Sequence, residues 1–190
     1  VGTTKLTKRQ LNRATLARQM LLAREAVTPA QAVERLAGLQ AQQARPPFIG
    51  LWTRLESFER RALLDALRAR TIVRGPAMRA TIHMMTAKDF IAHRSALQPG
   101  LTRGMKSVLR KRSDDLDIDA LVANAASWFE DAPRPFKAFR DHLESTATGD
   151  VRAMAYAVRT ALPLVQVPSD SDWGFKPTAD FTTAASWLGK

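Results

Sequence analysis

The 190-residue sequence contains no cysteine and only three histidines. The absence of cysteine excludes disulfide frameworks, thiolate metal sites and cysteine nucleophiles. The histidines, His83, His93 and His142, are too far apart in sequence to form a metal-binding pair one helical turn apart. The chain also lacks a phosphate-binding glycine loop and the G-x-S-x-G motif of serine hydrolases. We therefore expect no metal ion and no cofactor.

Long apolar stretches are missing as well, and no run approaches the ~18 residues of a transmembrane helix. The first residues, VGTTKLTKRQLNRATL, lack the apolar centre of a secretory signal peptide. These absences predict a cytoplasmic protein without a membrane-spanning helix. We expect it to be a monomer.

Acidic residues are scarce: 18 Asp and Glu stand against 29 Lys and Arg, so the net charge is +11 and the isoelectric point is about 11.0. Residues 1–112 hold 22 basic and 6 acidic residues, a net charge of +16, and residues 113–190 hold 7 and 12, a net charge of −5. Such basicity favours a polyanionic partner, either nucleic acid or an anionic membrane. The change of sign predicts two domains, 1–112 and 113–190.

The boundary itself has two interpretations. Basic residues precede it (Lys106, Arg110, Lys111 and Arg112) and acidic residues follow it (Asp114, Asp115, Asp117 and Asp119). A basic helix end followed by an acidic helix start stabilises both helix dipoles. The basic residues could equally face DNA phosphates, and the two roles are compatible.

Capping signals and apolar spacing predict the elements of the first part. We expect helices over 8–24, from Thr28 to about Leu39, from Phe48 to Leu55, and over 59–70. A change to period 2 then predicts a strand over 72–74, a turn at Gly75-Pro76 and a strand over 77–85. Thr86 begins a helix that reaches about residue 98. Helices followed by a β-hairpin are typical of a winged helix-turn-helix.

The second part repeats this order. Helices are expected over 119–129, 136–143 and 150–162, strands over 164–167 and 173–176, and a last helix over 181–188. The fold class predicted is mainly α with small β-hairpins (α+β), arranged as a tandem winged helix-turn-helix.

Gln40 and Gln42 form an unusual pair of amides. If the preceding helix persists, Gln40 lies on its buried face, where an unpaired amide costs about 1–3 kcal/mol. If the chain is extended after Gln40, both side chains project to the same side and can hold a water molecule. The alternative is a structural role, in which an amide caps the carbonyls at a helix end.

A second polar set, Arg79, Thr81 and His83, falls on one face of the predicted strand. That face is either a solvated outer surface or a polar wall directed at DNA phosphates or a base.

Three blocks of sequence together resemble a bacterial winged-helix family that contains the DNA glycosylases AlkZ and YcaQ. They are GLQAQ at 38–42, GLWTRL at 50–55 and RATIHM at 79–84, and the opening LTKRQLNRA at 6–14 also resembles the start of that family. The resemblance covers residues 5–100 by motif and 113–190 by the order of elements.

The resemblance implies tandem winged helices that form a basic, concave channel for double-stranded DNA. With DNA as the partner, we expect a nucleoid-associated protein without a membrane partner. The resemblance also implies metal-independent hydrolysis of the N-glycosidic bond of alkylated or crosslinked bases, with Gln40 and Gln42 positioning the water that attacks C1′. The residues expected to contact DNA are Lys8, Arg9, Arg45, Arg79, Thr81, His83, Lys106, Arg110, Lys111 and Arg112.

The chain departs from the family pattern in two ways. Ala80 stands where the family has glycine. Family members are also considerably longer, so this chain resembles their N-terminal half, and a third winged helix is expected beyond Lys190. A non-catalytic DNA-binding regulator and a scaffold for an acidic protein partner are the alternative functions.

Overall fold

The structure is a computed structural model that describes residues 5–189. Within this range the helices are α1 (Lys8–Arg18), α2 (Pro29–Arg35), α3 (Pro46–Trp52), α4 (Arg60–Arg68), α5 (Ala87–Leu109), α6 (Ile118–Asp131), α7 (Phe136–Thr146), α8 (Val151–Ala161) and α9 (Ala184–Leu188). The strands are β1 (Leu39–Gln40), β2 (Ile72–Pro76), β3 (Ile82–Thr86), β4 (Arg134–Pro135), β5 (Leu164–Gln166) and β6 (Asp180–Thr183). The strands pair antiparallel in two small sheets of order β1-β3-β2 and β4-β6-β5. The predicted α+β class is confirmed.

Helix starts follow the local capping signals. Thr7 and Thr28 each form a capping box, and Thr86 and Asp150 each accept a hydrogen bond from the third residue of their helix. Helix ends agree less well with their predictions. Helix α1 ends at Arg18, well short of the predicted residue 24.

The end of α2 decides the conformation of the glutamine pair. The helix stops at Arg35, and the chain turns at Gly38, whose φ of 107° is one that other residues rarely adopt. It then enters β1, so the interpretation in which a continued helix buries Gln40 is wrong.

The hairpin β2–β3 differs from its prediction. Gly75 and Pro76, where the sequence predicts a turn, lie inside β2. A Cβ atom on residue 75 would lie 2.5 Å from the Leu164 carbonyl oxygen in the second sheet, so the position requires glycine. Glycine therefore allows the two sheets to approach, and it does not reverse the chain.

The chain reverses over residues 77–81, and the predicted strand over 77–85 is wrong in its first half. Arg79 and Ala80 have φ values of 56° and 57°, in the left-handed region. This turn ends the alternation that would have placed Arg79, Thr81 and His83 on one strand face.

Helix α5 has 23 residues and continues past Pro99 to Leu109, beyond its predicted end. Its second half packs Met105 and Leu109 against Ala153 and Ala157 of α8. This packing between the two parts of the chain outweighs the local tendency of proline to end a helix.

The second sheet also differs from its prediction. Residues 173–176 are not a strand; the strand that pairs with β5 is β6, over residues expected to begin a helix. Trp173 and Phe175 instead belong to the core of the first part, where the rings of Phe48 and Trp173 lie 5.2 Å apart. Burial in that core removes the segment from the sheet.

The two sheets are joined by a shared core. Val73, Met85 and Phe90 of the first part pack with Val165 and Ala184 of the second part. This contact leaves a cleft beside the sheets, between the first part and helices α7 and α8.

Across residues 5–189, no helix is both long and apolar enough to cross a membrane. The same residues contain no group of three or more metal-ligating side chains positioned to hold an ion.

Candidate functional site

The cleft consists of three cavities of about 560, 170 and 410 Å³ that share lining residues. Gln42 and Ile82 line the first two, and Phe136 and Lys137 line the first and third. We call the three together the central cleft. Because both parts of the chain contribute to it, the cleft exists only when they pack together.

Among residues 5–189, the central cleft is lined by cations and by no carboxylate. Its lining residues include no Asp or Glu. The basic residues that line it are Arg45, Arg74, Lys137, Arg140, Arg152, Arg159 and Lys176. A concave surface with one sign of charge concentrates ligands of the opposite sign.

The glutamine pair lies at the edge of the first sheet, where Gln40 ends β1 and Gln42 lies in the bend that follows. Gln40 and Gln42 are exposed, and Ala41 between them is fully buried. Ala41 is therefore part of the core, and both amides lie outside it. Of the two, Gln42 lines the central cleft.

The two amides differ in their bonding. The Ala41 N–H donates to the Ile82 carbonyl at 2.7 Å, and the Ile82 N–H donates to Oε1 of Gln42 at 3.2 Å. The side-chain oxygen of Gln42 is therefore in use, whereas its amide nitrogen and the Gln40 side chain have no hydrogen bond to any of residues 5–189.

Arg74 holds the main chain of this segment in place. Its Nε donates to the Ala41 carbonyl at 2.9 Å, its Nη2 donates to the Gln42 carbonyl at 3.2 Å, and its Nη1 donates to the Gln166 side-chain oxygen. The guanidinium also lies 4.7 Å from the centre of the Phe175 ring. Burial lowers the pKa of Arg74 to about 10, so the side chain remains a cation at neutral pH.

His83 lies directly opposite Gln40 in the pairing of β1 with β3. It is buried, and its Nδ1 lies 3.0 Å from the Thr81 carbonyl oxygen. A carbonyl can only accept, so Nδ1 carries the hydrogen. Cross-strand partners share a sheet face, which brings this imidazole close to the Gln40 side chain.

The other residues predicted to contact DNA are spread over the surface. Arg45 lines the central cleft, with its guanidinium 5.4 Å from the Trp173 ring centre. Arg112 forms an ion pair with Asp150 of the second part, with an Nε–Oδ2 distance of 2.6 Å. The remaining cations are exposed and do not line the cleft: Lys8, Arg9, Arg79, Lys106, Arg110 and Lys111. Thr81 is half-buried in the turn before β3.

Sequence reasoning missed the cleft residues of the second part, because their charge is hidden in a net charge of −5. Helical spacing held a signal that could have revealed them. Arg152, Tyr156 and Arg159 recur at intervals of four and three residues, which places them on one face of α8. Lys137 and Arg140 likewise share a face of α7.

Comparison with known proteins identifies the class. The model of the AlkZ-like DNA glycosylase family matches residues 33–190, so the chain belongs to this family. The family resemblance inferred from the sequence motifs is thereby confirmed.

Among solved structures, the fold is similar to that of the Streptomyces sahachiroi DNA glycosylase AlkZ, with a TM-score of 0.77 at 18% sequence identity. The match covers 98% of this chain and 52% of the Streptomyces chain, so the chain spans about half the length of that protein. A search of curated proteins by sequence finds no match.

Proposed function

We propose that the chain is a DNA-binding protein of two winged-helix units, 1–112 and 113–190, which holds double-stranded DNA along the central cleft. We further propose that it takes part in hydrolysis of the N-glycosidic bond of an alkylated or crosslinked base. The observation that carries this proposal is the exposed glutamine pair beside a cleft that, among residues 5–189, is lined by cations and by no carboxylate.

In the proposed reaction, Gln40 and Gln42 hold the attacking water. The Gln42 amide nitrogen donates to the water oxygen, because the Gln42 side-chain oxygen is occupied by the Ile82 N–H. The Gln40 oxygen accepts one of the water hydrogens. The bond from C1′ to the base nitrogen breaks, the water oxygen bonds to C1′, and a proton passes to solvent.

Neutral amides cannot remove that proton in the transition state, so their contribution is orientation and electrostatic stabilisation. Orientation and electrostatic stabilisation are sufficient to hydrolyse the bond to a cationic alkylated base, because such a base leaves as a neutral molecule and needs no general acid. Loss of one positioned polar group in such a site lowers the rate by about 100-fold or more.

The test is release of 7-methylguanine from an alkylated duplex by the protein. We expect Gln40→Ala and Gln42→Ala together to abolish release while the protein still binds the duplex. Gln19→Ala is the matched control, because Gln19 is an exposed amide whose hydrogen bonds to residues 5–189 all come from its main chain, so the substitution removes a side chain that bonds to none of them. Undiminished release by the double variant would exclude the two glutamines from the mechanism.

One observation favours a second function, that of a non-catalytic DNA-binding regulator. The bond from the Ile82 N–H to the Gln42 side chain extends the pairing of β1 with β3, which is a structural use of the amide. A regulator would bind a particular undamaged sequence and release no base, so the same assay separates the two functions.

A further inference from the structure

Arg159 is the residue at which the cavities of the central cleft meet. It lies on α8 and lines all three of them, together with Gln42 in the first two. Its guanidinium lies 5.6 Å from the Phe136 ring centre and 5.9 Å from the Phe181 ring centre. The two rings limit the directions in which the guanidinium can point.

The bonding of Arg159 differs from that of the other desolvated arginines. Arg74 donates to two main-chain carbonyls and an amide, and Arg94 donates to the Thr160 carbonyl and the Gln98 side chain. Within residues 5–189, no hydrogen bond and no ion pair reaches the Arg159 side chain. Lys137, which also lines the cleft, is paired with Asp141.

A half-buried cation without an acceptor is unfavourable unless something else compensates the lost hydration. Desolvation lowers the pKa of Arg159, in agreement with that loss. The rings of Phe136 and Phe181 supply part of this compensation, and no carboxylate of residues 5–189 lines the cleft to supply the rest. The side chain is therefore prepared for an external anion.

We propose that Arg159 binds a DNA phosphodiester, the one adjoining the nucleotide whose sugar lies against Gln42. The planar fork of a guanidinium matches two phosphate oxygens, which a single ammonium group cannot do. Arg152 and Arg140 line the third cavity beyond it and continue the path of the strand. This role of Arg159 is to position the nucleotide, and it rests on the proposed function.

The experiment measures binding of the protein to a duplex with one uncleavable abasic analogue. Single methylphosphonate groups, which are neutral, replace each phosphate in turn near the analogue. Wild-type protein should lose affinity by about 10- to 100-fold at one position, the range of a hydrogen bond to a charged group. Arg159→Gln should lose a similar factor on the unmodified duplex and lose nothing further at that position.

Arg103→Gln is the control, because Arg103 is an exposed cation of α5 outside the cleft. It should keep the wild-type profile of methylphosphonate effects. Arg159→Lys keeps the charge and most of the stem, and serves if Arg159→Gln does not fold. It should retain part of the affinity and a reduced methylphosphonate effect at the same position.

The outcomes separate this inference from the function on which it rests. If wild-type protein binds the duplex but the profile in Arg159→Lys or Arg159→Gln equals that of wild type, the phosphate is not bound by Arg159 and the proposed function stands. If wild-type protein does not bind the duplex, the proposed function and the role of Arg159 both fail.

Discussion

The guanidinium of Arg74 donates a 2.9 Å hydrogen bond to the carbonyl oxygen of Ala41, the residue between the two glutamines. The same guanidinium reaches the Gln42 carbonyl and the Gln166 side chain. One buried cation thus connects the glutamine segment with the second sheet. The direction of both amides therefore depends on contact between the two parts of the chain.

Arg74→Met should lower the free energy of unfolding by about 3 kcal/mol, because it removes charged hydrogen bonds from buried acceptors. Urea denaturation measures this loss. Arg103→Met, at an exposed position of α5, should change the stability by less than about 0.5 kcal/mol. Equal stability of Arg74→Met and wild type would show that the segment is held by its strand pairing alone.

Ala80→Gly should stabilise the protein by about 0.5–1 kcal/mol. Ala80 has a φ of 57°, where a Cβ atom is unfavourable and glycine is not, and this gain exceeds the extra freedom of the unfolded chain. Ala69→Gly is the opposite control, because Ala69 follows the last residue of α4 and has a φ of −71°, which alanine adopts without strain. It should destabilise by a similar amount in the same urea titration, and stabilisation by both changes would contradict the argument.

The sequence predicts those parts of the fold that depend on neighbouring residues. The caps at Thr7, Thr28, Thr86 and Asp150 are predictable because each depends on three or four residues. Errors occur where contacts between the two parts decide the structure. At Gly75, the local sequence Gly-Pro is compatible both with a turn and with a strand whose glycine lets a second sheet approach closely. Only the contact with Leu164, far away in sequence, decides between them.

The candidate site likewise has one part that local sequence predicts and another that only folding brings together. The glutamine motif is contiguous and could be selected from the sequence, although its burial could not. Five of the seven cations that line the cleft come from α7, α8 and the segment before β6, far away in sequence. Of the arginines and lysines chosen for their position in the basic part, Arg45 lines the central cleft and Arg112 is paired with Asp150. A net charge counted along the chain does not describe the charge of a surface that folding assembles.

Removing cleft charges should weaken DNA binding and reduce its dependence on salt. For Arg45→Gln with Lys176→Gln, we expect the slope of log K against log salt concentration to become shallower by about 0.9 for each phosphate that the protein no longer neutralises. The matched double variant is Arg61→Gln with Lys88→Gln, because these cations lie outside the cleft and are paired with Asp65 and Glu34. An equal change of slope in both double variants would mean that the cleft does not determine the DNA path.

The ion pair between Arg112 and Asp150 should make stability depend on pH in the acid range. The Arg112 guanidinium and the Ala153 N–H lower the pKa of Asp150 from 3.8 to about 2, so its stabilising effect is full above the higher value and is lost as the pH falls to the lower one. Asp150→Asn keeps the cap of α8 and removes the charge. In urea titrations at successive pH values, wild type should exceed this variant in stability at neutral pH, and the difference should close between about pH 4 and pH 2. When Arg112→Gln is added to both wild type and Asp150→Asn, the difference in stability between the two proteins should vary less with pH. If that difference varies with pH as much as before, the effect belongs to the helix cap and not to the ion pair.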